Sequence, residues 1–431
     1  MKVKSIGIDK VVAGHVLSLK EDGQSVIVVR ARKELRTLFK EAIRKQIYEK
    51  VDAENQYDAI FEYFKSMDGG EAFDNEVFKT LEGIKSYLHQ GVIFCIDGKK
   101  LEDYVMTNCS RLCALFVAGK LGGEFVDGTD LMVCESEKGK IVIDWERSSE
   151  RIRTKCCEKP LSVVSGGYAR SGDGYTTKIG RGGADLMTTA IGSVLGAEVV
   201  EFYTTVDGIL GIPEMTYEEA AHLSSSENGP IFPPAMWPAI KADIPIVIRN
   251  ILNPSFAGTL VSSKPVSRPE GTFTGIVCSR DLGLITVYGS GLLGSVGISS
   301  TLFTALSEAG VNIRFISQSS AEYSISIAVR KEDEPRAISA IQGMVTSGQY
   351  LTFNDIFYLA KDVAIISVCG SAMKNVPGVS GKIYSALGDA GISIIAASQG
   401  GEEFSISLVV DSADADKALE VLGRWGAKNG R

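Results

Sequence analysis

Short apolar runs alternate with longer amphipathic segments through the first two-thirds of the chain. Apolar runs of strand length occupy residues 2–8, 25–30, 161–166, 198–204 and 244–250. Apolar positions recur at helical spacing in 33–66, 100–121 and 180–197. Strands that alternate with helices in this way predict an α/β fold with a mainly parallel sheet.

The last third of the chain contains an internal repeat. Residues 285–330 and 366–411 align without a gap at an offset of 366 − 285 = 81 residues. Equivalent positions carry the same residue in the pairs Gly289/Gly370, Gly297/Gly378, Gly310/Gly391 and Gln318/Gln399. Each copy predicts strand, glycine loop, helix, strand, strand and helix, the order of a ferredoxin-like module. Two such modules behind a larger domain suggest a pair of sensors attached to a domain that they control.

The two modules differ in their last strand. The first module predicts a fourth strand near 351–359, whereas the chain stops at Arg431, directly after the last predicted helix of the second. A missing edge strand leaves an unpaired ladder, which proteins usually cover. We therefore expect TGIVCS at 274–279 to fill that place and to interweave the modules. The proline-containing segment 263–272 predicts the linker before them.

Composition narrows the class of protein. The net charge of −8 argues against nonspecific nucleic-acid binding. No uninterrupted apolar stretch has the length of about 18 residues that a membrane span needs, and MKVKSIGIDK has no apolar signal core. We therefore expect a cytoplasmic protein with neither a nucleic-acid nor a membrane partner.

Cysteine and histidine give little sign of a metal site. The 8 cysteines are scattered and form no CxxC motif. Cys109 and Cys113, four apart on a predicted helix, could hold a metal, but the 3 histidines are few and distant. The pattern favours reduced cytosolic thiols and no metal.

Several long segments resemble the aspartokinases, in which an amino-acid-kinase domain precedes two ACT domains. The segments, in order, are GYTTKIGRGGADLMTTAIGSVLGAEVVEFYTTVDGI (174–209), EMTYEEAAHL (214–223), AIKADIPIVIRNILNPSFAGTLVSS (239–263) and the two repeats. The resemblance implies a three-layer αβα kinase domain with a mainly parallel sheet, followed by two ferredoxin-like ACT modules. The predicted domains are 1–263, 264–360 and 361–431, with 272–279 pairing into the last.

The resemblance assigns the substrate loop to Gly180–Asp185. Arg181, Gly182 and Gly183 would bind aspartate, with the Arg181 guanidinium on its α-carboxylate, and Asp185 would organise the reacting groups. Without the longer match, GRGG also fits a simple helix-entry turn.

The remaining motifs depart from the family. The family's Lys-Phe-Gly-Gly-Thr-Ser motif becomes KSIGID, in which Lys4 would be catalytic, Gly7 would approach the nucleotide and Asp9 adds a negative charge. Ser110 stands where a glutamate would bind the substrate ammonium. Thr204, Asp207 and Gly208 match the family's nucleotide-binding turn, although Thr204 replaces its first aspartate.

Two further nucleotide-side features are lost. The loop that ends in Asp-Pro-Arg is absent after Leu210, and Pro230 replaces a lysine that contacts phosphate. Losing one donor of a charge-stabilising site costs about 2.7–4 kcal/mol of barrier. Lys178 is the only obvious replacement.

The ACT pair is better preserved. Glycine loops at 289–297 and 370–378 lead into helix starts that suit a carboxylate. The resemblance places Gln318 and Gln399 against an effector, because an amide both donates and accepts hydrogen bonds. Alternatively, the two glutamines are surface residues that match only through duplication.

Three hypotheses follow. The first is an aspartokinase that uses ATP with Mg²⁺ to phosphorylate the L-aspartate side-chain carboxylate under feedback by lysine or threonine. The second is a catalytically silent, amino-acid-sensing regulator, and the third is a kinase with a changed acceptor. The resemblance implies a homodimer formed through the ACT modules, and the regulator of the second hypothesis could instead pair with an active paralogue. Binding of ATP separates the first hypothesis from the second.

Overall fold

The computed structural model describes residues 1–21, 23–137, 140–157, 159–225, 229–289, 297–320, 323–346 and 357–429. The chain divides into two compact units, Met1–Val266 and Ser267–Arg431. The predicted domain boundaries at 263/264 and 360/361 stay predictions.

The first unit alternates strands with helices, as the apolar pattern predicts. Its strands are β1 (Lys2–Ile8), β2 (Ser25–Ala31), β3 (Glu124–Val126), β4 (Val133–Glu137), β5 (Lys140–Ile143), β6 (Leu161–Ser165), β7 (Tyr168–Ser171), β8 (Thr176–Lys178), β9 (Val199–Thr204), β10 (Glu214–Thr216), β11 (Ile246–Asn250) and β12 (Thr259–Ser262). Its helices are α1 (Lys10–Ala13), α2 (Lys33–Ile43), α3 (Glu54–Lys65), α4 (Glu71–Ile93), α5 (Gly98–Leu121), α6 (Gly128–Leu131), α7 (Trp145–Cys156), α8 (Gly183–Leu195), α9 (Tyr217–Leu223) and α10 (Trp237–Lys241). Short 3₁₀ turns cover Val16–Leu19 and Pro233–Met236.

Eight of these strands form one sheet in the order β10-β12-β11-β9-β1-β2-β6-β3. Every neighbouring pair is parallel except β11 and β12. Strands β5-β4-β7-β8 form a second, smaller sheet. The prediction of an α/β unit with a mainly parallel sheet is therefore confirmed.

Helices cover both faces of the large sheet because its central strands are apolar on both faces. Ile6, Ile27 and Val29 belong to a core that also contains residues of α2 to α5. On the opposite face α8 packs closely, and a Cβ added at Gly192 would lie 2.7 Å from Val200. These contacts give the three layers expected of an αβα sandwich.

The segment 33–66, predicted to be helical, contains two helices. A π-helical turn at Arg44–Glu49 ends at Lys50, whose left-handed conformation (φ 55°) stops the helix before α3 begins at Glu54. Buried residues of α2 and α3, including Phe39 and Phe64, pack edge to face in the same core.

The second unit contains the two repeats. Its strands are β13 (Gly275–Tyr288), β14 (Phe315–Gln318), β15 (Ser324–Arg330), β16 (Phe357–Cys369), β17 (Ala396–Gln399) and β18 (Ser405–Asp411). Its helices are α11 (Ile298–Glu308), α12 (Glu334–Thr346), α13 (Val379–Asp389) and α14 (Ala415–Asn429), and 3₁₀ turns cover Lys331–Asp333, Ser371–Met373 and Ser412–Asp414. The six strands form an antiparallel sheet in the order β14-β15-β13-β16-β18-β17.

Two long strands link the repeats. The first half of β13, Gly275–Ser279, pairs with Ile365–Cys369 of β16, and its second half pairs with β15 and with the start of β16. A register shift between Ser279 and Leu282 separates the two halves. The segment 274–279 thus lies beside the second repeat, and of the strand expected at 351–359, residues 351–356 lie outside the described residues.

The two edge strands of this sheet contact each other. The Ser317 Oγ of β14 donates a hydrogen bond to the Ala397 carbonyl oxygen of β17 at 3.4 Å. Equivalent hydroxyl pairs join the inner strands of each repeat, Thr286 with Ser326 at 2.9 Å and Ser367 with Ser407 at 3.0 Å. The duplication therefore extends to side-chain hydrogen bonds.

Candidate functional site

The predicted site residues of the first unit lie mostly at one edge of the large sheet. Strands β9, β1, β2 and β6 are parallel neighbours, so their carboxyl ends share that edge. Ligands of open α/β sheets bind in the crevice at such an edge. The groups there fall into two sets: those on the side of β6 and α8 and those on the side of β1 and β9.

The glycine loop enters α8 through a backbone that needs glycine. Gly182 has a φ of 68°, and a Cβ added there would lie 2.5 Å from the Phe232 ring. Both the left-handed conformation and the close contact exclude a side chain. The Arg181 guanidinium lies over the same ring, 5.2 Å from its centroid. Gly183 begins the helix, as the sequence predicts for this turn.

Asp185 lies on the first turn of α8 and is almost fully buried, with 3% of its surface exposed. The Arg30 Nη1 lies 3.1 Å from its Oδ1 and donates a hydrogen bond to its Oδ2 at 3.3 Å. Burial raises the pKa of the Asp185 carboxyl, and the Arg30 charge opposes this rise. The carboxyl therefore has a cationic partner from β2, which the sequence analysis missed.

One cavity of this unit, of ≈ 400 Å³, lies near α5. The cavity beside the glycine loop is smaller, at ≈ 80 Å³. Its polar walls come from Arg30, Arg36, Ser110, Tyr168 and Lys178. Backbone of the glycine loop and of Gly166–Gly167, after β6, lines the remainder together with Ala31, Met106 and Ala184. Three cationic residues thus line one small space.

The ionisable groups of this cavity are perturbed. Burial, followed by the charges of Arg36 and Lys40, lowers the pKa of the Lys178 amine. Burial also raises the pKa of the Tyr168 phenol, so the hydroxyl keeps its proton as a donor. Perturbed groups that converge on a cleft are typical of functional sites.

Lys4 lies outside this cluster. Its side chain is fully buried, its Nζ donates a hydrogen bond to the Leu19 carbonyl oxygen at 2.8 Å, and the Glu21 Oε2 lies 3.2 Å away. The catalytic role assigned to Lys4 stays a prediction, but the structure does not bring the amine to Asp185.

Arg32 connects the ends of β1 and β9. Its Nε lies 3.0 Å from the Asp9 Oδ2, and its Nη2 donates to the Thr205 Oγ1 at 3.0 Å. A Cβ added at Gly7 would lie 2.9 Å from the Arg32 Cγ, so glycine leaves the room that this side chain occupies.

Hydrogen bonds within the chain hold the turn after β9. The Val206 amide donates to the Thr204 Oγ1 at 3.2 Å, while Asn250 and Asn253 both donate to the Asp207 carboxylate. Gly208 (φ 57°) continues the turn. Thr204, Asp207 and Gly208 therefore lie together, but the polar side chains already have partners from the same chain.

The residues that the resemblance assigns to the nucleotide make polar contacts within the chain. Asp9 places a carboxylate at the end of β1, and the guanidinium of Arg32 is bonded to protein groups rather than facing a cleft. No group of three or more His, Cys, Asp or Glu side chains that could hold a metal ion occurs in the described part of the chain. Gly229 and Pro230 supply no cation, and Asn228 lies outside the described residues.

The two glutamines of the second unit end equivalent edge strands. Gln318 ends β14, Gln399 ends β17, and both are exposed. The Ser380 Oγ, on the first turn of α13, donates to the Gln399 Oε1 at 3.3 Å. Of the two glycine loops, 370–378 is described, whereas residues 290–296 of the first loop lie outside the described residues.

Sequence reasoning missed three arginines. The three lie within the seven residues RARKELR: Arg30 is near the end of β2, and Arg32 and Arg36 follow that strand. A cluster of cations directly after a buried parallel strand was a usable signal, because that position lies at the ligand edge of the sheet. Cys109 and Cys113, the other candidate pair, are fully buried, and burial raises the pKa of the Cys109 thiol.

Known families match both units. The amino acid kinase family matches residues 8–250, and an ACT domain family matches residues 285–343 and 366–424. A bifunctional aspartokinase/homoserine dehydrogenase of Haemophilus influenzae is 29% identical over 377 residues, which cover 83% of this chain and 45% of that protein. The chain thus spans less than half the length of this curated relative.

Solved structures show the same fold. Escherichia coli aspartokinase III in complex with aspartate and ADP matches with a TM-score of 0.77 and 19% identity, over 98% of this chain and 99% of that one. The same enzyme in complex with lysine and aspartate matches with a TM-score of 0.75, 18% identity and the same coverage. Within the described residues, no helix is long and apolar enough to cross a membrane. The chain therefore belongs to the amino acid kinase family, in the aspartokinase arrangement of a kinase domain followed by two ACT domains.

Proposed function

We propose that this chain is a regulatory protein of aspartokinase descent, which binds a free amino acid through its ACT domains and carries out little or no phosphoryl transfer. The observation that carries the proposal is the contact of Arg32 with both Asp9 and Thr205. These groups stand at the ends of β1 and β9, where the resemblance implies the nucleotide phosphates.

The charges explain why ATP should bind poorly. Phosphoryl transfer relies on free cations and backbone donors around the phosphates. Here the Lys4 amine and the Arg32 guanidinium already have protein partners, and Asp9 would repel a phosphate. Breaking these contacts would add their free energy to the cost of binding.

Direct binding and activity measurements test the silent kinase. We expect no heat of binding for Mg-ATP below about 1 mM in calorimetry, and no aspartate-dependent release of ADP by the full chain. An active aspartokinase run in parallel serves as the assay control. A micromolar dissociation constant for Mg-ATP would refute the proposal.

A second candidate is ATP-dependent phosphorylation of the L-aspartate side-chain carboxylate, with Mg²⁺ and under amino-acid control. The observation that favours it is the position of Lys178 in the wall of the same cavity as Gly182 and Gly183. In this candidate Lys178 supplies the cation that the nucleotide side lacks. Aspartate-dependent ADP release that disappears in Lys178→Met but persists in Lys241→Met would support it.

Amino-acid sensing is assigned to the ACT domains. The exposed amides of Gln318 and Gln399 can donate to a carboxylate and accept from an ammonium. Lysine or threonine is the proposed effector, and the solved complex of E. coli aspartokinase III with lysine gives a precedent in a protein of this fold.

A melting screen with all twenty amino acids tests this assignment. A ligand at a hundred-fold excess over its dissociation constant stabilises the folded state by about 2.7 kcal/mol. We expect lysine or threonine to raise the melting temperature, and Gln318→Ala or Gln399→Ala to reduce the shift. Gln342→Ala, at an exposed position of α12, is the matched control. A screen without any shift would exclude sensing by these domains.

The proposal includes a homodimer formed through the ACT domains, as the resemblance implies. The edge strands β14 and β17 contact each other within one chain. A second copy would therefore pack against this pair of edge strands and would not take the place of a missing strand. Sedimentation of the full chain at micromolar concentration should give a dimer, and a monomer there would contradict this part of the proposal.

A further inference from the structure

The small cavity beside the glycine loop has an unbalanced charge. Arg30, Arg36 and Lys178 face it, and none of its lining residues is an aspartate or glutamate. Arg30 is neutralised by Asp185. For Arg36 and Lys178, no carboxylate of the described residues lies within ion-pair distance of the side-chain nitrogens. The wall itself is therefore cationic, and the charges of Asp103 and Glu102 act on Lys178 from beyond it.

Two buried hydroxyl groups face the same cavity. Ser110 is 5% exposed and Tyr168 is 8% exposed, and both contribute to the cavity wall. Hydroxyl groups beside cationic residues offer both hydrogen bonds and positive charge, which is the chemistry of a site for an anionic ligand that accepts hydrogen bonds.

The cavity offers nothing to an ammonium group. Two buried carboxylates lie next to residues of the wall: that of Asp185 pairs with Arg30, and the Asp103 Oδ2 accepts hydrogen bonds from the Lys178 amide at 3.1 Å and the Thr177 hydroxyl at 3.3 Å. Ser110, which stands where the resemblance implies a carboxylate for the ammonium, is neutral. An α-amino group placed here would meet Arg36 and Lys178 and would be repelled.

We propose that the kinase-domain cavity binds a compact dianion without an ammonium group, a small dicarboxylate or inorganic phosphate, in preference to aspartate. Arg36 and Lys178 supply the two counter-charges, and Ser110 and Tyr168 donate hydrogen bonds to the anion. This inference extends the proposed function, because a site that rejects the aspartate ammonium has also lost the family's substrate.

Calorimetry of the full chain tests the preference and identifies the source of the anion. Succinate, inorganic phosphate and L-aspartate are titrated separately at low ionic strength. We expect one of the two dianions to bind at least ten-fold more tightly than aspartate, a difference of about 1.4 kcal/mol. Tighter binding of succinate would indicate a dicarboxylate site, and tighter binding of phosphate would indicate a phosphate site. The proposal is overturned if neither dianion binds, or if aspartate binds equally well.

Variants test the assigned residues. Arg36→Gln and Lys178→Gln should each weaken dianion binding ten-fold or more, whereas Arg153→Gln, an exposed arginine of α7 outside the cavity, should leave binding unchanged. If all three variants lost the same affinity for the dianion, the loss would reflect the overall charge of the protein and not these two residues, and the proposal would be overturned.

Ser110→Glu adds the missing carboxylate and should reverse the preference towards aspartate. Tyr168→Phe removes a single hydroxyl and should weaken dianion binding several-fold, which keeps the test decisive if Ser110→Glu fails to fold. Unchanged binding in Tyr168→Phe would contradict the assigned contact. Mg-ATP titrations report separately on the proposed loss of kinase activity: tight Mg-ATP binding would refute that proposal without altering the dianion preference.

Discussion

The two sides of the strand edge in the kinase unit use similar side chains in opposite ways. On the side of β1 and β9, Lys4 and Arg32 are bonded to groups of the same chain. On the side of β6 and α8, Arg36 and Lys178 face a cavity without a carboxylate in its wall. Charges that satisfy one another stabilise the fold, whereas charges left without partners remain available to a ligand.

This difference makes a thermodynamic prediction. Removing a partnered, buried charge costs free energy because its partner stays behind without compensation. Removing an unpartnered cation costs little and can even stabilise the protein, as is common where function opposes stability. Substitutions on the side of β1 and β9 should therefore destabilise the unit, and those on the side of β6 and α8 should not.

The largest effect is expected for Lys4→Met. The methionine keeps the apolar stem but leaves the Leu19 carbonyl oxygen without its donor and the Glu21 carboxylate with Lys2 as its remaining cationic partner. A buried acceptor left unpaired costs about 1–3 kcal/mol, and we expect a value near 2 because Glu21 is partly exposed. Urea unfolding should show this loss. Lys20→Met, at the exposed neighbouring position, should change stability by less than about 0.5 kcal/mol. A similarly small loss for Lys4→Met would argue that the amine is free to serve a ligand.

Arg32→Leu should cost less, about 1–2 kcal/mol. The variant removes the hydrogen bond to Thr205 and the partner of Asp9, whose side chain is only 14% exposed. Arg44→Leu is the matched control, because the Arg44–Glu49 pair is largely exposed and such pairs contribute little. If Arg32→Leu also binds Mg-ATP at micromolar concentration, the contact of Arg32 alone would explain the loss of nucleotide binding.

The contrast between the two sides was only partly predictable from the sequence. Strand positions and the helix entry at Gly182–Gly183 followed from apolar runs and glycine chemistry, and the repeat predicted the two ferredoxin-like modules of the second unit. The partners of Lys4 and Arg32 did not follow. Leu19 and Thr205 contribute a carbonyl and a hydroxyl whose positions depend on the folded loops, and no local pattern marks them.

Lys178→Gln should leave stability unchanged or raise it by up to about 0.5 kcal/mol near neutral pH. The lowered pKa of the Lys178 amine, caused first by burial and then by Arg36 and Lys40, means that the folded state holds this proton less tightly than the unfolded chain. The wild-type protein should therefore gain stability as the pH rises towards the unfolded pKa of 10.5, and the variant should lack that gain. Melting curves at pH 8 and pH 10 measure the difference. A loss above about 1 kcal/mol at pH 8 would place Lys178 among the structural charges instead.

The smallest effect is expected for Asp173→Asn, on the hairpin of β7 and β8. Hydrogen bonds from Lys100 and then from the Ser171 hydroxyl lower the pKa of Asp173 to about 2. A lowered pKa in the folded state stabilises the protein above the unfolded value of 3.8, and this contribution disappears as the pH falls towards 2. Because the Asp173 side chain is 50% exposed, solvent and salt screen the pair, and we expect a loss of only about 0.5 kcal/mol at pH 7. Wild type and variant should then converge in melting temperature at high salt and at low pH. This pair shows the contribution of a partnered charge without burial, so a loss as large as that of Lys4→Met would mean that a partner stabilises the fold whether or not the charge is buried.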